Sequence, residues 1–397
     1  MSEAESTPLE ETPARVVAID LVRAVTMVLM LFVNDLWTVK DAPEWLDHVK
    51  AGVDGLHLAD TVFPAFLFIV GLSLPFALAA RRARGDGMAQ LLWHVLVRAF
   101  ALVVMGLWMM NGEELDTNAT HLMSWQWDLL MCTSFILIWN AWPKAWPAWA
   151  KWLPRVVGAA VLLWMAFIYH GQDSGFTHHW WGILGIIGWA YLLVGAITVV
   201  AQGRLWPLAI AWAALAGLSM ANAAGYVPGA FDLLPSPLRD GTHAGLIMGG
   251  VVAGTLFDRF VRKGDNRGLT IAFVLLAAGL LLAAQFTRPL WGISKISATP
   301  AWLFLCSAIP LLAFLALYWI GDVWKQAKWF AIIRPAGSDT LLTYLSPYFV
   351  YSALGFLYFN LPDAVTTSPV GLIKTFLFAL FCVVVTGVAS RWIKLKI

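Results

Sequence analysis

An all-α bundle of about twelve membrane-crossing helices is the fold class this sequence predicts, and three observations predict it. Of its 397 residues, 60% are hydrophobic and 13% charged, where a soluble domain carries roughly 25% charged residues. Mean hydropathy is +0.73. Apolar stretches of about 20 residues, the length that crosses a bilayer core, recur along the whole chain. Lysine and arginine collect in alternate loops between those stretches.

In order, the apolar stretches are 16–36, 58–80, 89–110, 121–140, 155–170, 180–201, 205–224, 241–260, 268–287, 300–320, 337–358 and 368–391. The fifth is short and only a few residues join the sixth to the seventh, so eleven is the alternative count. Of the 26 Lys and Arg, 18 fall in one set of loops: Arg15, 81–84, 144–155, Arg204, 259–267, 325–334 and the tail 391–396. The other set holds Lys40, Lys50, Arg239, Arg288, Lys295 and Lys374. Basic loops stay on the cytoplasmic side. Both termini are therefore expected in the cytoplasm, with the chain crossing a bacterial inner membrane an even number of times.

Residues 1–14 are polar and acidic, with neither a basic start nor a small-residue cleavage site, and read as a disordered cytoplasmic tail rather than a signal peptide. Residues 15–397 read as one domain, without a convincing internal repeat, which disfavours an inverted-repeat transporter. The partners expected are the lipid bilayer and a small polar substrate, and nucleic acid is excluded for want of a basic soluble patch. Cys132, Cys306 and Cys382 lack paired spacing, and no histidines have metal-ligand spacing, so neither disulfide, zinc nor another metal is expected. The 23 Trp read mainly as interfacial belts.

The first two apolar stretches carry polar groups that are costly at membrane depth and usually line a cavity or substrate path. At 100° per residue, Asp20, Arg23, Met27, Met30 and Asn34 fall within an arc of about 80°. Asp20 and Arg23 can pair at i,i+3. Their ordinary reading is an interfacial ion pair; the sharper one is that Arg23, with Arg98, meets an anionic ligand from the cytoplasm. On the second stretch His57, Asp60, Pro64 and Phe68 share a stripe. Asp60 reads either as a helix-start acid or as the carboxylate that orients a histidine. His48 stands in the intervening loop between Asp47 and Asp54. It reads as a solvated loop histidine, or as a base for an amine or hydroxyl acceptor, or as an acyl carrier. His243 opens the eighth stretch on the same predicted side, where a plain interfacial histidine is the ordinary reading. Lys295 either holds an anionic sugar substituent or snorkels.

Several segments resemble the transmembrane acyltransferase family that includes heparan-alpha-glucosaminide N-acetyltransferase and its bacterial relatives. They are IDLVR at 19–23, MLFVN at 30–34, His48, and DGLHLADTVFPAFLFIVGLS at 54–73. In the C-terminal third they are ISK at 293–295, TPAW at 299–302, YWIGDV at 318–323 and PAGSDTLLTY at 335–344. Ala24 replaces the family's usual glycine, and RDGTH at 239–243 stands where the family has D-P-E-G. The resemblance implies acetyl-CoA as cosubstrate from the cytoplasmic side and a glucosamine-type sugar or glycan acceptor on the far side. By it, His48, Asn34 and Asp60 are the catalytic candidates. Asp35, His57, His243 and Lys295 are candidates for the acceptor, and Arg23, Arg98 and Arg334 for the CoA phosphates. The chain is then an acyl-CoA-dependent N-acetyltransferase, as a monomer or a homodimer. The alternatives are an N-acetylglucosamine permease without covalent chemistry and an acyltransferase that acylates a lipid-linked or cell-wall glycan.

Overall fold

The structure, a computed structural model, describes residues 16–172 and 175–397. The tail expected at 1–14 lies outside the described residues. Each of the twelve apolar stretches forms one long helix: α1 Val17–Asp35, α2 Leu58–Arg82, α3 Met88–Glu113, α4 Ser124–Trp139, α5 Ala148–Ile168, α6 Ile183–Ala201, α7 Leu205–Ala223, α8 Thr242–Arg262, α9 Asn266–Trp291, α10 Pro300–Tyr318, α11 Thr340–Phe356 and α12 Val370–Ala389. Ten are long and apolar enough to cross a membrane; α4 and α11, at 16 and 17 residues, are the short ones. The protein is an all-α polytopic membrane protein. The fifth stretch, expected to be short, begins earlier and runs 21 residues. Its first two turns hold Trp149, Lys151 and Trp152, which look like a loop but stay helical because long amphipathic side chains reach the interface from a helix.

The centre of the bundle is a close crossing of α2 and α8. A Cβ on Gly71 would overlap the Ile247 carbonyl oxygen, one on Gly250 that of Phe68, and one on Gly254 that of Leu72. Lipid tails are as apolar as the side chains, so helices associate through such close packing, and Gly250 and Gly254 form a small-xxx-small repeat. A second crossing, α3 on α6, uses Gly106 and Gly188 in the same way. Buried aromatic rings fill the space between α8, α9 and α10: Phe257, Phe273 and Phe314. The outer helices α5, α7, α9 and α12 present exposed apolar side chains such as Phe167, Trp206, Leu275 and Phe376 to the surroundings, as a lipid-facing wall does.

Polar contacts sort the helix ends into two groups. At one end Asp322, in the segment YWIGDV, accepts hydrogen bonds from the backbone N–H of Val17 (3.0 Å) and Ala18 (2.7 Å). It satisfies two of the four orphan donors of α1 and meets the positive end of its dipole. Gly337 packs against the Asp20 carbonyl and accepts from Arg23 (3.0 Å). Two segments more than 300 residues away in sequence thus dock on the first turns of α1.

At the opposite end Asp35 is tied into the fold. The sequence suggested it as an acceptor-binding residue, and its contacts argue for a different role. Its carboxylate, 2% exposed, accepts from Tyr351 (2.6 Å), Lys374 (2.8 Å) and Thr375 (2.7 Å), and Lys374 also reaches Thr38. Three of its acceptor positions are taken by α11 and α12, so Asp35 joins three helices.

Two outcomes follow from this packing. Gly250→Ala forces backbone apart at the α2–α8 crossing and should lower stability by about 3 kcal/mol, whereas Gly279→Ala, where the added carbon meets nothing within 4 Å, should leave it unchanged; thermal unfolding in detergent checks both. Asp35→Ala strands the Lys374 cation and should cost about 3–5 kcal/mol, with most of the loss recovered in the double variant carrying Lys374→Met.

Candidate functional site

Asp60 is the hub of the end opposite the Asp322 contacts. It sits in the first turn of α2, where the chain leaves the loop and the helix dipole favours a carboxylate. It is 2% exposed and saturated. Oδ2 accepts the backbone N–H of Val49 (3.0 Å) and His57 (3.2 Å), folding the loop back over the helix start. Oδ1 lies 2.8 Å from Nδ1 of His48, whose side chain remains 48% exposed. A carboxylate facing Nδ1 selects the tautomer that carries its hydrogen there and leaves the Nε2 lone pair free. The sequence-predicted pair His48–Asp60 is therefore brought together across the loop.

The turn between α9 and α10 closes over this pair. Asp54 accepts from Arg288 (2.9 Å) and from the Ile293 N–H (2.8 Å), and Gly55 donates to the Ile293 carbonyl (3.1 Å). The Ile293 hydrogen bond, then the Arg288 guanidinium, hold the Asp54 carboxyl below its ordinary range. Lys295 follows two residues later. Its Nζ lies 3.3 Å from Nε2 and 3.4 Å from Nδ1 of His48. Burial pushes the Lys295 ammonium down from its ordinary value of 10.5, and the Asp60 charge opposes that shift. From beneath, Trp302 donates its indole N–H to the Asp60 carbonyl (3.1 Å).

Beyond Trp302 stands a second acid–imidazole couple. Asp240 caps α8 through the N–H groups of Thr242 (2.8 Å) and His243 (3.2 Å), and its other oxygen lies 2.6 Å from Nδ1 of His243. The His243 ring lies between Trp302, at 6.0 Å, and Phe63, at 6.3 Å. It adjoins the Asp60 cluster through Trp302 and makes no hydrogen bond to His48. His57 stands at the α2 N-cap with its Nδ1 buried and without a hydrogen-bond partner among the described residues. Asn34 is exposed on the last turn of α1 and makes no hydrogen bond to His48 or Asp60 among the described residues. Sequence reasoning missed Asp54, Arg288, Asp240 and Trp302. Asp54, Trp302 and Asp240 lay inside the motif segments, the last in RDGTH, and could have been found there; Arg288 carried no signal of its own.

The other end of the bundle holds a cavity of about 720 Å³, within the usual size for small-ligand sites. Arg23, Arg81, Arg98 and Lys396 line it, with Asp20 and Asp339 as its acids. Arg98 lies over the Tyr191 ring at 5.1 Å, and its Nε is buried without a hydrogen-bond partner among the described residues. An orphaned guanidinium donor in a cation-rich cavity fits an anionic group such as a phosphate. Arg23 pairs with Asp20 at 3.3 Å. Arg81 pairs with Asp86 and meets Nδ1 of His94. Arg334, also expected at a CoA site, is exposed and does not line this cavity. It begins the short helix Arg334–Ser338, whose last residue, Ser338, reaches the wall in its place. A narrower void of about 70 Å³ adjoins the cavity, sharing Phe66, Val70, Arg98 and Tyr191 and adding Met27, Met30 and Tyr344.

Comparison with known proteins bears on both loci. The family profile described as "Heparan-alpha-glucosaminide N-acetyltransferase, catalytic" matches residues 15–114, which contain α1 to α3, His48, Asp60, Arg23 and Arg98. Human heparan-alpha-glucosaminide N-acetyltransferase is 33% identical over 107 residues, covering 26% of this chain and 15% of the human protein. The mouse protein of the same name is 33% identical over 101 residues, 24% of this chain and 14% of its own length. The match thus spans about 15% of the length of these relatives, and the profile's residues 15–114 hold the His48–Asp60 couple. Through residues 15–114, this chain is similar to the catalytic region of heparan-alpha-glucosaminide N-acetyltransferase.

Proposed function

We propose that the protein transfers an acetyl group from acetyl-CoA, across the membrane, to the amino group of a glucosamine-type sugar. The arginine-rich end faces the cytoplasm by the distribution of basic residues, which puts both termini there and the donor cavity on the side where acetyl-CoA is available. The observation that carries the reading is the relation of the two loci along α2. The cavity wall follows α2 from Arg81 inward to Phe66. From Phe66 to Asp60 is six residues, about 9 Å of helix. A donor held by its phosphates at Arg23 and Arg98 would direct a thin acyl-bearing arm along this helix towards His48.

In this mechanism Asp60 fixes the imidazole with Nδ1–H towards the carboxylate. Nε2 of His48 then takes a proton from the acceptor ammonium, giving the free amine. The amine attacks the thioester carbonyl, the C–S bond breaks as the C–N bond forms, and the second proton of the amine leaves with sulfur as CoA thiol. The role of Asp60 is to hold the tautomer and to stabilise the imidazolium that forms. Asn34, His57 and His243 stand at the same end of the bundle as this couple and are assigned to the acceptor.

The test mixes purified protein with labelled acetyl-CoA and glucosamine and follows CoA release and sugar acetylation. His48→Ala should lower kcat by about 10²–10⁴-fold, the usual contribution of a general base, and Asp60→Asn by about 10²-fold through the wrong tautomer. A wild-type protein that releases CoA no faster than His48→Ala would end the acyltransferase reading. Arg98→Gln should raise KM for acetyl-CoA about tenfold while kcat changes little, because phosphate binding is uniform between ground and transition states.

A further inference from the structure

The Lys295 ammonium stands where an external acceptor would have to place its own. Nζ is 3.3 Å from Nε2 and 3.4 Å from Nδ1 of His48, so it lies at the imidazole that the acyl-transfer reading makes the base. This position is built. The turn from α9 to α10 that carries Lys295 is closed by Ser294 N–H on Thr299 Oγ1 (3.0 Å) and Ala298 N–H on the Lys295 carbonyl (3.1 Å). Asp54, bound to the Ile293 N–H, ties the same turn to the His48 loop. A lysine side chain and an amino sugar also offer the same functional group, a primary ammonium that becomes nucleophilic on losing a proton. Burial favours the neutral amine of Lys295, in contrast to exposed lysines such as Lys50 and Lys263.

We propose that Lys295 is a self-acetylation site, an internal amine acceptor that competes with the sugar for the acyl group delivered to His48. The inference rests on the acyl-transfer reading of that histidine. One proton of the Lys295 ammonium passes to Nε2 of His48 and on to solvent. The amine attacks the thioester carbonyl, the C–S bond breaks, and one of its two remaining protons leaves with sulfur as CoA thiol. The product is an amide that keeps the other as its N–H and is stable to further transfer. It removes the positive charge beside the Asp60–His48 couple and occupies the acceptor position. An enzyme supplied with donor and starved of acceptor would thereby silence itself.

The experiment incubates the full-length protein with labelled acetyl-CoA, with and without saturating glucosamine, and maps acetylated lysines by peptide mass spectrometry. Without sugar, Lys295 should carry label at about ten times or more the level at Lys50 and Lys263. Glucosamine should suppress that label at least several-fold, and His48→Gln should reduce it by about a hundredfold. The protection by sugar is read on the wild-type protein and so does not depend on the variant folding. Sugar acetylated at a normal rate while Lys295 stays unmodified over many turnovers overturns the inference and spares the acyl-transfer reading. Label at Lys295 equal to that at Lys50, insensitive to sugar and to His48, is chemical acetylation and overturns it too. Neither sugar nor Lys295 labelled overturns the acyl-transfer reading itself.

Discussion

One buried carboxylate organises the end of the bundle where the chemistry is assigned. Asp60 receives two backbone N–H groups and one imidazole, and its own carbonyl takes the Trp302 indole. An ionised group at this depth is tolerated only when its charge is met by donors. Here the donors come from the 48–57 loop and the helix start, so satisfying the Asp60 carboxylate folds the loop and places His48 in the same act. The site therefore needs no separate scaffold: the requirement to pair one acid at the membrane boundary builds it.

That arrangement depends on α2 being immobile, and α2 is held by backbone contact rather than by long side chains. Gly71 against Ile247, and Gly250 and Gly254 against Phe68 and Leu72, leave no room for adjustment between α2 and α8. The same helix carries Asp60 at one end and Arg81 in the wall of the cationic cavity at the other. The Asp60 cluster and the cationic cavity are thus joined by one helix. Pro64 and Pro75 lie within it, where each removes a backbone donor beside closely packed neighbouring helices.

Much of the candidate site was legible because its parts are local. His48, Asp60 and Asn34 stand within two apolar stretches and one loop, and the order of charged and apolar residues sorts them to one end. The arginines divided. Arg98 lies in the cavity because α3 packs on α6 and turns that face towards Tyr191. Arg334 stays outside because it starts a short helix whose opposite end reaches the cavity. Asp35, one residue from Asn34, reads like a substrate ligand in sequence. Its carboxylate is bound by Lys374, 339 residues further along.

By itself, then, the sequence determined where the helices lie and which ends carry charge. Hydropathy over about 20 residues and the pairing of backbone groups within a helix are local properties, and in lipid every backbone donor must be satisfied inside its own segment. The tertiary structure decided which polar groups are spent on the fold and which remain for chemistry. Asp35 is consumed by Tyr351, Lys374 and Thr375; Lys295 is brought to His48 across 247 residues; Asp240 is joined to His243 next to Trp302. Such pairings depend on which helices lie side by side. In a membrane that is set by where glycines let two backbones touch, a property of two distant surfaces together and of neither stretch alone.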